Sequence, residues 1–251
     1  MKLVIVGGTG LIGSKLVSRL RDHGHEAVPA SPDTGVNTLT GEGLPGVLEG
    51  AAVVVDVSNS PSFEEAAVMN FFTTSTRNLL KQSAAAGVRH YVALSVVGTE
   101  RLTESAYMRA KNAQEVLIKA SGIPYTILHA TQFFEIIKRI ADEATVDSTV
   151  RLPAALGQPM AADDVASAVA RVAVGAPVNG VVEIGGPEQF RFDELIRVAL
   201  GARNDPREVV VDPHARYFGA ELGERSLVPG PGARLGEIAL RDWLSNAALA
   251  R

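Results

Sequence analysis

Tyr107 and Lys111 stand four residues apart in Tyr107-Met-Arg-Ala-Lys111, with Ser95 a short distance upstream. A phenol, an ammonium and a hydroxyl are together the parts of a proton-donating site. A free phenol has a pKa of about 10 and is a poor acid–base group at neutral pH. A neighbouring ammonium and the cationic ring of a bound cofactor would have to bring it down by about three pH units, roughly 4 kcal/mol. The serine would hold a substrate oxygen by hydrogen bond while the tyrosine gives a proton to a carbonyl. The plainer reading of the same pair is a surface Tyr and Lys on an amphipathic helix.

The elements around these residues decide whether they can meet. Residues 105–120 read as a helix, which puts Tyr107 and Lys111 on one face. Arg89-His-Tyr-Val-Ala-Leu-Ser95 reads as a strand with Ser95 at its carboxyl end, the edge where open α/β sheets bind ligands. At the start of the chain, the apolar run Lys2-Leu-Val-Ile-Val6 leads into Gly7-Gly-Thr-Gly-Leu-Ile-Gly13 and a helix over 11–23. Glycines at 7, 10 and 13 allow a tight turn and let a pyrophosphate approach backbone N–H groups at a helix N-terminus. A strand over 26–30 carries Pro29 near its end, residues 31–46 read as loop, and further strands are expected at 51–57 and 125–129 around a helix at 63–86. Beyond residue 130 helical segments are expected near 132–144, 163–174 and 193–200, short strands near 181–184 and 208–211, and a final helix containing Trp243.

Alternation of strand and helix predicts an α/β fold, a Rossmann-like doubly wound parallel sheet with a small C-terminal substrate-binding portion. Residues 1–150 would be the dinucleotide-binding core. Residues 151–251 would complete the sheet and cover the substrate cleft within one integrated domain.

Bulk composition narrows the partners. The 251 residues are 46% hydrophobic and 21% charged, with a net charge of −4, which gives no reason to expect nucleic acid or an anionic membrane as a partner. There is no cysteine, so disulfides, thiolate metal sites and cysteine nucleophiles are excluded. The five histidines show no metal-ligand spacing, so no metal is expected. No apolar run approaches the roughly 20 residues of a membrane span, and the first strand begins at residue 2, which reads as a cytoplasmic chain without a leader. A monomer or homodimer acting on a small molecule is expected.

Some residues admit two readings. His129 is either a pocket residue or a strand-end histidine satisfied locally, and Phe133 and Phe134 either wall a pocket or pack in the core. Asp163 and Asp164 resemble a carboxylate pair but begin a helix, where acids cap the backbone and suit the dipole. His214 and Tyr217 lie in a loop from which either could reach a substrate.

The GGTGLIG start, Ser95 and the YMRAK helix resemble the short-chain dehydrogenase/reductase superfamily. The stretches SGIPYTILHATQFFE, PMAADDVASAVARV and VVEIGGPEQF are more similar to its atypical branch, the NmrA-like or NAD(P)H-binding proteins. The resemblance runs over nearly the whole chain. It implies that Gly7, Gly10 and Gly13 hold a pyrophosphate, with Thr9, Leu11 and Ile12 in the same loop, and that Asp56, Val57, Ser58 and Asn59 border the adenosine and ribose. It implies a catalytic set of Ser95, Tyr107 and Lys111, with Lys111 also on the ribose hydroxyls, and a substrate pocket at His129, Gln132 and Phe133. The activity implied is NAD(P)H-dependent hydride transfer between nicotinamide and a small carbonyl or alcohol, with Tyr107 as general acid/base. The branch also includes members that bind cofactor without turnover, so a redox-sensing binder is the alternative, and a cofactor-retaining isomerase or epimerase is a third reading. After the second strand, Ala30-Ser31-Pro32-Asp33 presents neither a clean acid for NAD(H) nor an arginine for NADP(H). Ser31 can bond a phosphate, so the expectation leans to NADP(H), with NAD(H) as the alternative.

Overall fold

The computed structural model describes residues 1–249. Its first half alternates strand and helix: β1 (Lys2–Val6), α1 (Leu11–Asp22), β2 (Glu26–Ala30), α2 (Leu44–Leu48), β3 (Val53–Asp56), α3 (Glu65–Ala85), β4 (His90–Val96), α4 (Ala106–Lys119) and β5 (Tyr125–Ala130). The second half follows with α5 (Ile137–Glu143), β6 (Thr145–Val146), β7 (Thr149–Leu152), β8 (Leu156–Gly157), α6 (Ala162–Val174), β9 (Gly180–Gly185), β10 (Phe190–Arg191), α7 (Phe192–Gly201), β11 (Glu208–Val211), β12 (Arg234–Leu235) and α8 (Leu240–Leu249).

The main sheet has seven strands in the order β2-β1-β3-β4-β5-β9-β12, every neighbouring pair parallel. From β1 the chain steps outward to β2, then returns to the other side of β1 at β3. That reversal opens a crevice beyond the carboxyl ends of β1 and β3, where doubly wound sheets take their ligands. Pro29 is tolerated because β2 is an edge strand, where its missing N–H need not enter a ladder.

Period-two alternation sorts the apolar residues between two helical layers. Leu3 and Ile5 pack with Leu16 and Leu20 of α1 and Val165 and Val169 of α6. Val4 and Val6 face the opposite way, onto Leu79 and Leu80 of α3 and Ile118 of α4. On β4 and β5 the same rule sends Val92, Leu128 and Ala130 to the α1/α6 side and Tyr91, Ala93 and Ile127 to the α3/α4 side. Ser95 and His129, register partners across β4 and β5, continue that second row and face α4.

After residue 150 the chain adds β9 and β12 to the main sheet and returns α6 to pack on α1. Two small sheets, β11-β7-β6 and β10-β8, stand beside it. With α5 and α7 they enclose a second core that includes Phe134, Ile137, Phe192, Leu195 and Leu227. Several pieces differ from the sequence expectation. The stretch read as loop to residue 46 passes into α2, and β6, β8, β10 and β12 are each two residues long, too short to show a period. The expected helix at 132–144 is a 3₁₀ turn at Phe134–Ile136 followed by α5. Among the described residues no helix is long and apolar enough to cross a membrane.

Candidate functional site

One cleft of about 660 Å³ runs along the carboxyl ends of β1, β3, β4 and β5. Its first end is built on the glycine loop. Gly7 has φ +77, and a Cβ there would sit 2.8 Å from Ser58 Cα, so the β1 turn and the β3 turn touch only because this residue is glycine. A Cβ on Gly13 would lie 2.1 Å from the Gly7 carbonyl oxygen. Gly13 is buried and does not line the cleft, so its part is to seat α1 against the loop rather than to touch a pyrophosphate, a correction to its expected role. Gly10 is the N-cap of α1 and offers no side-chain cap, and the first turn carries no acid. This end of the cleft is lined by Gly7, Thr9, Gly10, Leu11 and Ile12, beside the first-turn N–H groups that a helix leaves without intrahelical partners.

Val57, Ser58 and Asn59 form the opposite rim, but Asp56 does not reach it. Its carboxylate lies beneath, accepting from Ser58 N at 3.0 Å, Ser58 Oγ at 2.6 Å and Gln114 Nε2 at 2.9 Å. Asp56 therefore braces the β3 turn and α4 and is corrected from ligand to support. Ser31 follows β2, lines the cleft, and its buried hydroxyl has no hydrogen-bond partner. The Asn37-Thr38-Leu39 segment completes this end; nothing in its loop composition marked it as lining.

At the other end stand Tyr107, Lys111 and Ser95, all lining the cleft. The tyrosine ring stacks on Phe63 with centroids 5.2 Å apart and meets Phe72 edge-on at 6.0 Å. Burial pushes its phenol up to about 12, and the Arg139 guanidinium is the charge that opposes this. Lys111 acts elsewhere. Its Nζ donates to Leu94 O at 2.9 Å and to Gln114 Oε1, and lies 4.5 Å from the Phe72 ring centroid. Burial brings the ammonium down to about 8 against the attraction of Asp56 and Glu115. The expected Lys111–Tyr107 pairing is thus replaced: helical spacing puts both on one face, but Lys111 reaches under Phe72 to the end of β4, and the phenol's cation comes from α5.

Ser95 also departs from expectation. Its Oγ donates to Glu115 Oε1 at 2.6 Å, so its proton is directed into α4 rather than toward a substrate carbonyl. The same carboxylate accepts from Thr99 Oγ1 at 3.1 Å and stands 2.8 Å from His129 Nε2 and 3.3 Å from Lys119 Nζ. Burial opposes ionisation of Glu115, yet His129, Ser95 and Lys119 outweigh it and hold the carboxyl at about 2. His129 belongs to this buried cluster and not to the lining, which corrects its placement in the substrate pocket.

Gln132 and Phe133 do line the cleft. Gln132 is only 4% exposed, and neither its amide nitrogen nor its oxygen has a partner. A buried carboxamide with both ends free is costly unless a ligand pairs with it. Uncapped α1, the Ser31 hydroxyl and the Gln132 amide therefore fit a dinucleotide with a polar group at each end. Tyr217 lines the cleft too, its phenol pushed up by burial, whereas His214 stays exposed and outside it. Arg139 and Phe63 were missed in the sequence; Arg139 lies over the Phe63 ring at 3.9 Å, a pairing of residues far apart in the chain. Asp163 and Asp164 are structural. Asp163 pairs with Lys15 at 2.9 Å, and Asp164 accepts from Glu237 N and Ile238 N, while Glu135 accepts from Ala162 N in the first turn of α6.

Comparison with known proteins bears on the family and the fold. The family described as NAD(P)H-binding matches residues 36–174. The photosystem II assembly factor Ycf39 of Cyanophora paradoxa is 25% identical over 149 residues, covering 54% of this chain and 46% of the relative. The (4-alkanoyl-5-oxo-2,5-dihydrofuran-3-yl)methyl phosphate reductase of Streptomyces griseus is 28% identical over 144 residues, covering 52% of this chain and 48% of the relative. The chain spans about half the length of the curated relatives it matches. Among solved structures, MoeE5 in complex with UDP-glucuronic acid and NAD superposes with a TM-score of 0.75 at 18% identity, over 98% of this chain and 97% of that one. A dTDP-4-dehydrorhamnose reductase from Clostridium acetobutylicum gives 0.73 at 15% identity, over 100% and 99%. These two share the Rossmann-like fold, and the match over more than half of the sequence shows that the chain belongs to the NAD(P)H-binding family.

Proposed function

We propose that the chain is an NAD(P)H-dependent reductase of small carbonyl compounds, with Tyr107 as proton donor. The observation that carries this reading is one cleft joining the uncapped α1 N-terminus to the Tyr107 phenol, with the unpaired Gln132 amide beside it. Bound NAD(P)H supplies a hydride from its nicotinamide ring. Tyr107, held at about 12, keeps its proton throughout the neutral range and so acts as donor, while Arg139 stabilises the charge left on the phenolate. Gln132 offers donors and an acceptor to hold an amide or carbonyl in register. Lys111, with two of its three N–H donors engaged, sets a positive charge between the two ends of the cleft. Phe63, Phe133 and Phe218 supply apolar wall that excludes water.

The cofactor we propose is NADH. Ser31, Pro32, Val36, Asn37, Thr38 and Leu39 line the adenosine end without a lysine or arginine, and the Asp33 carboxylate lies 3.4 Å from Thr9 Oγ1 at its mouth. An acid suits a ribose diol and repels a 2′-phosphate, which argues against the lean to NADP(H) drawn from Ser31.

A second reading, a cofactor-holding protein without turnover, is favoured by the Ser95 proton pointing to Glu115 and by Lys111 leaving Tyr107 unassisted. The naming of Ycf39 as an assembly factor is consistent with it. Titration with NADH and NADPH by nicotinamide fluorescence, followed by a carbonyl panel, separates the two. Tyr107→Phe is expected to lower turnover about 100-fold or more with cofactor affinity unchanged. Turnover of a true substrate at the wild-type rate would remove Tyr107 from the mechanism; tight binding with no turnover across the panel would favour the second reading.

A further inference from the structure

Behind Tyr107 the molecule holds a second chamber of about 330 Å³. It shares Phe63, Tyr107, Arg139, Ile140, Tyr217 and Phe218 with the main cleft, so these side chains form a common wall between the two. The chamber opens to solvent at Arg139, Glu143 and Arg216 and closes at Ser105. Ser105, its N-cap residue on α4, is 1% exposed, and its buried hydroxyl has no partner and makes no cap hydrogen bond. The first turn of α4 carries no acid, so the partial positive charge of a 14-residue helix faces this chamber uncompensated. Arg139 lines it as well; its side chain is 44% exposed and pairs at 4.0 Å with Glu143, and among the described residues its guanidinium donates no closer hydrogen bond. Arg216, the other arginine of the lining, is neutralised by Glu104 and Glu221, each at 2.8 Å. Glu143 also lines the chamber, and the rest of the wall includes the apolar Leu152, Pro153 and Phe192.

We propose that this chamber is the subsite for an oxyanion of the substrate, a carboxylate or a phosphate monoester, held by Arg139, the α4 N-terminus and Ser105. The substrate is then an acidic carbonyl compound with an apolar body, its anionic end behind Tyr107 and its carbonyl at the phenol. In that placement the Arg139 guanidinium serves both the anchored oxyanion and the phenol. The assignment of the carbonyl end rests on the reductase reading above; the anion subsite itself is read by binding alone.

Benzoate and phenyl phosphate serve as probes of the two oxyanion sources, with benzamide as neutral control, titrated calorimetrically into the NADH-loaded protein. Cofactor loading is followed separately by nicotinamide fluorescence, so failure to load counts against the reductase reading and not against the subsite, which is then titrated in the protein without cofactor. One of the two oxyanions is expected to bind at least tenfold tighter than benzamide, and whichever is tighter identifies the source. Arg139→Gln should weaken it about tenfold to a hundredfold, the scale of a lost charge-assisted hydrogen bond, and Arg139→Lys should retain part of the affinity. Ser105→Ala should weaken it less. The proposal is overturned if benzamide binds as tightly as both oxyanions, if Arg139→Gln leaves the affinity unchanged, or if Arg139→Gln loses NADH and oxyanion together.

Discussion

Glu115 is 1% exposed yet ionised, and it ties Ser95 and His129 at the sheet edge to Lys119 on the surface. Its carboxyl is held at about 2, against an ordinary value of 4.5. A carboxyl depressed in the folded state contributes stability above its unfolded pKa and loses it as pH falls through the folded pKa. The window is therefore from 4.5 down to about 2. At about 1.4 kcal/mol per pH unit the contribution is about 3 kcal/mol at pH 7 and falls to about 1 kcal/mol by pH 3. Glu115→Gln keeps an acceptor for Ser95 and His129 but removes the titration. Urea unfolding of wild type and variant across this range gives a difference curve. Asp142, Asp193 and Asp205, also depressed by arginine or lysine neighbours, titrate in both proteins and cancel. The expected curve drops by about 2 kcal/mol from pH 7 to pH 3. Its absolute offset decides nothing, because a neutral amide avoids the desolvation that a buried ion suffers. A flat curve refutes the account of Glu115 as an ionised hub.

Gly13→Ala drives a Cβ to 2.1 Å from the Gly7 carbonyl oxygen, so either α1 or the loop must shift. Destabilisation of about 1–3 kcal/mol is expected from overpacking, together with weaker NADH binding by fluorescence titration; full cofactor affinity would show that the seat of α1 does not shape the loop. Lys111 is brought to about 8 by burial, so it is charged below that pH and neutral above it. NADH affinity should fall as pH rises through about 8 in the wild type, while Lys111→Met should bind more weakly at neutral pH and show no such break. A break that survives in the variant would assign it to another group.

The parallel sheet was legible because β1, β3, β4 and β5 are apolar runs with glycine or helix signals between them, and each is long enough to carry a pattern. The glycine loop was legible for the same reason, since Gly7 needs φ +77 and a close approach that a sequence motif encodes directly. The second half was read only coarsely. Its two-residue strands are set by pairing with partners such as Phe190 on Gly157, a tertiary fact with no local signature. Pocket walls from Phe63, Asn37 and Arg139 depend on which loops the sheet brings to one edge, and no spacing rule encodes that.

Tyr107 and Lys111 illustrate how far a spacing rule reaches. Four residues on a helix guarantee a shared face, and the structure keeps that: both side chains line one cleft. The rule is silent on what else lies on that face. Phe72 of α3 packs against both, so the ammonium passes under the ring to Leu94 O and Gln114 instead of reaching the phenol. Burial then moves the two groups in opposite senses, the phenol up to about 12 and the ammonium down to about 8, because each resists its charged form. Strand parity does the rest: with Ser95 and His129 on the row facing α4, the serine hydroxyl donates its hydrogen bond to Glu115. The electrostatics of Tyr107 thus pass to Arg139, from a helix on which the motif placed no requirement. Burial and the guanidinium of Arg139, not the lysine of the motif, therefore set the state of this phenol.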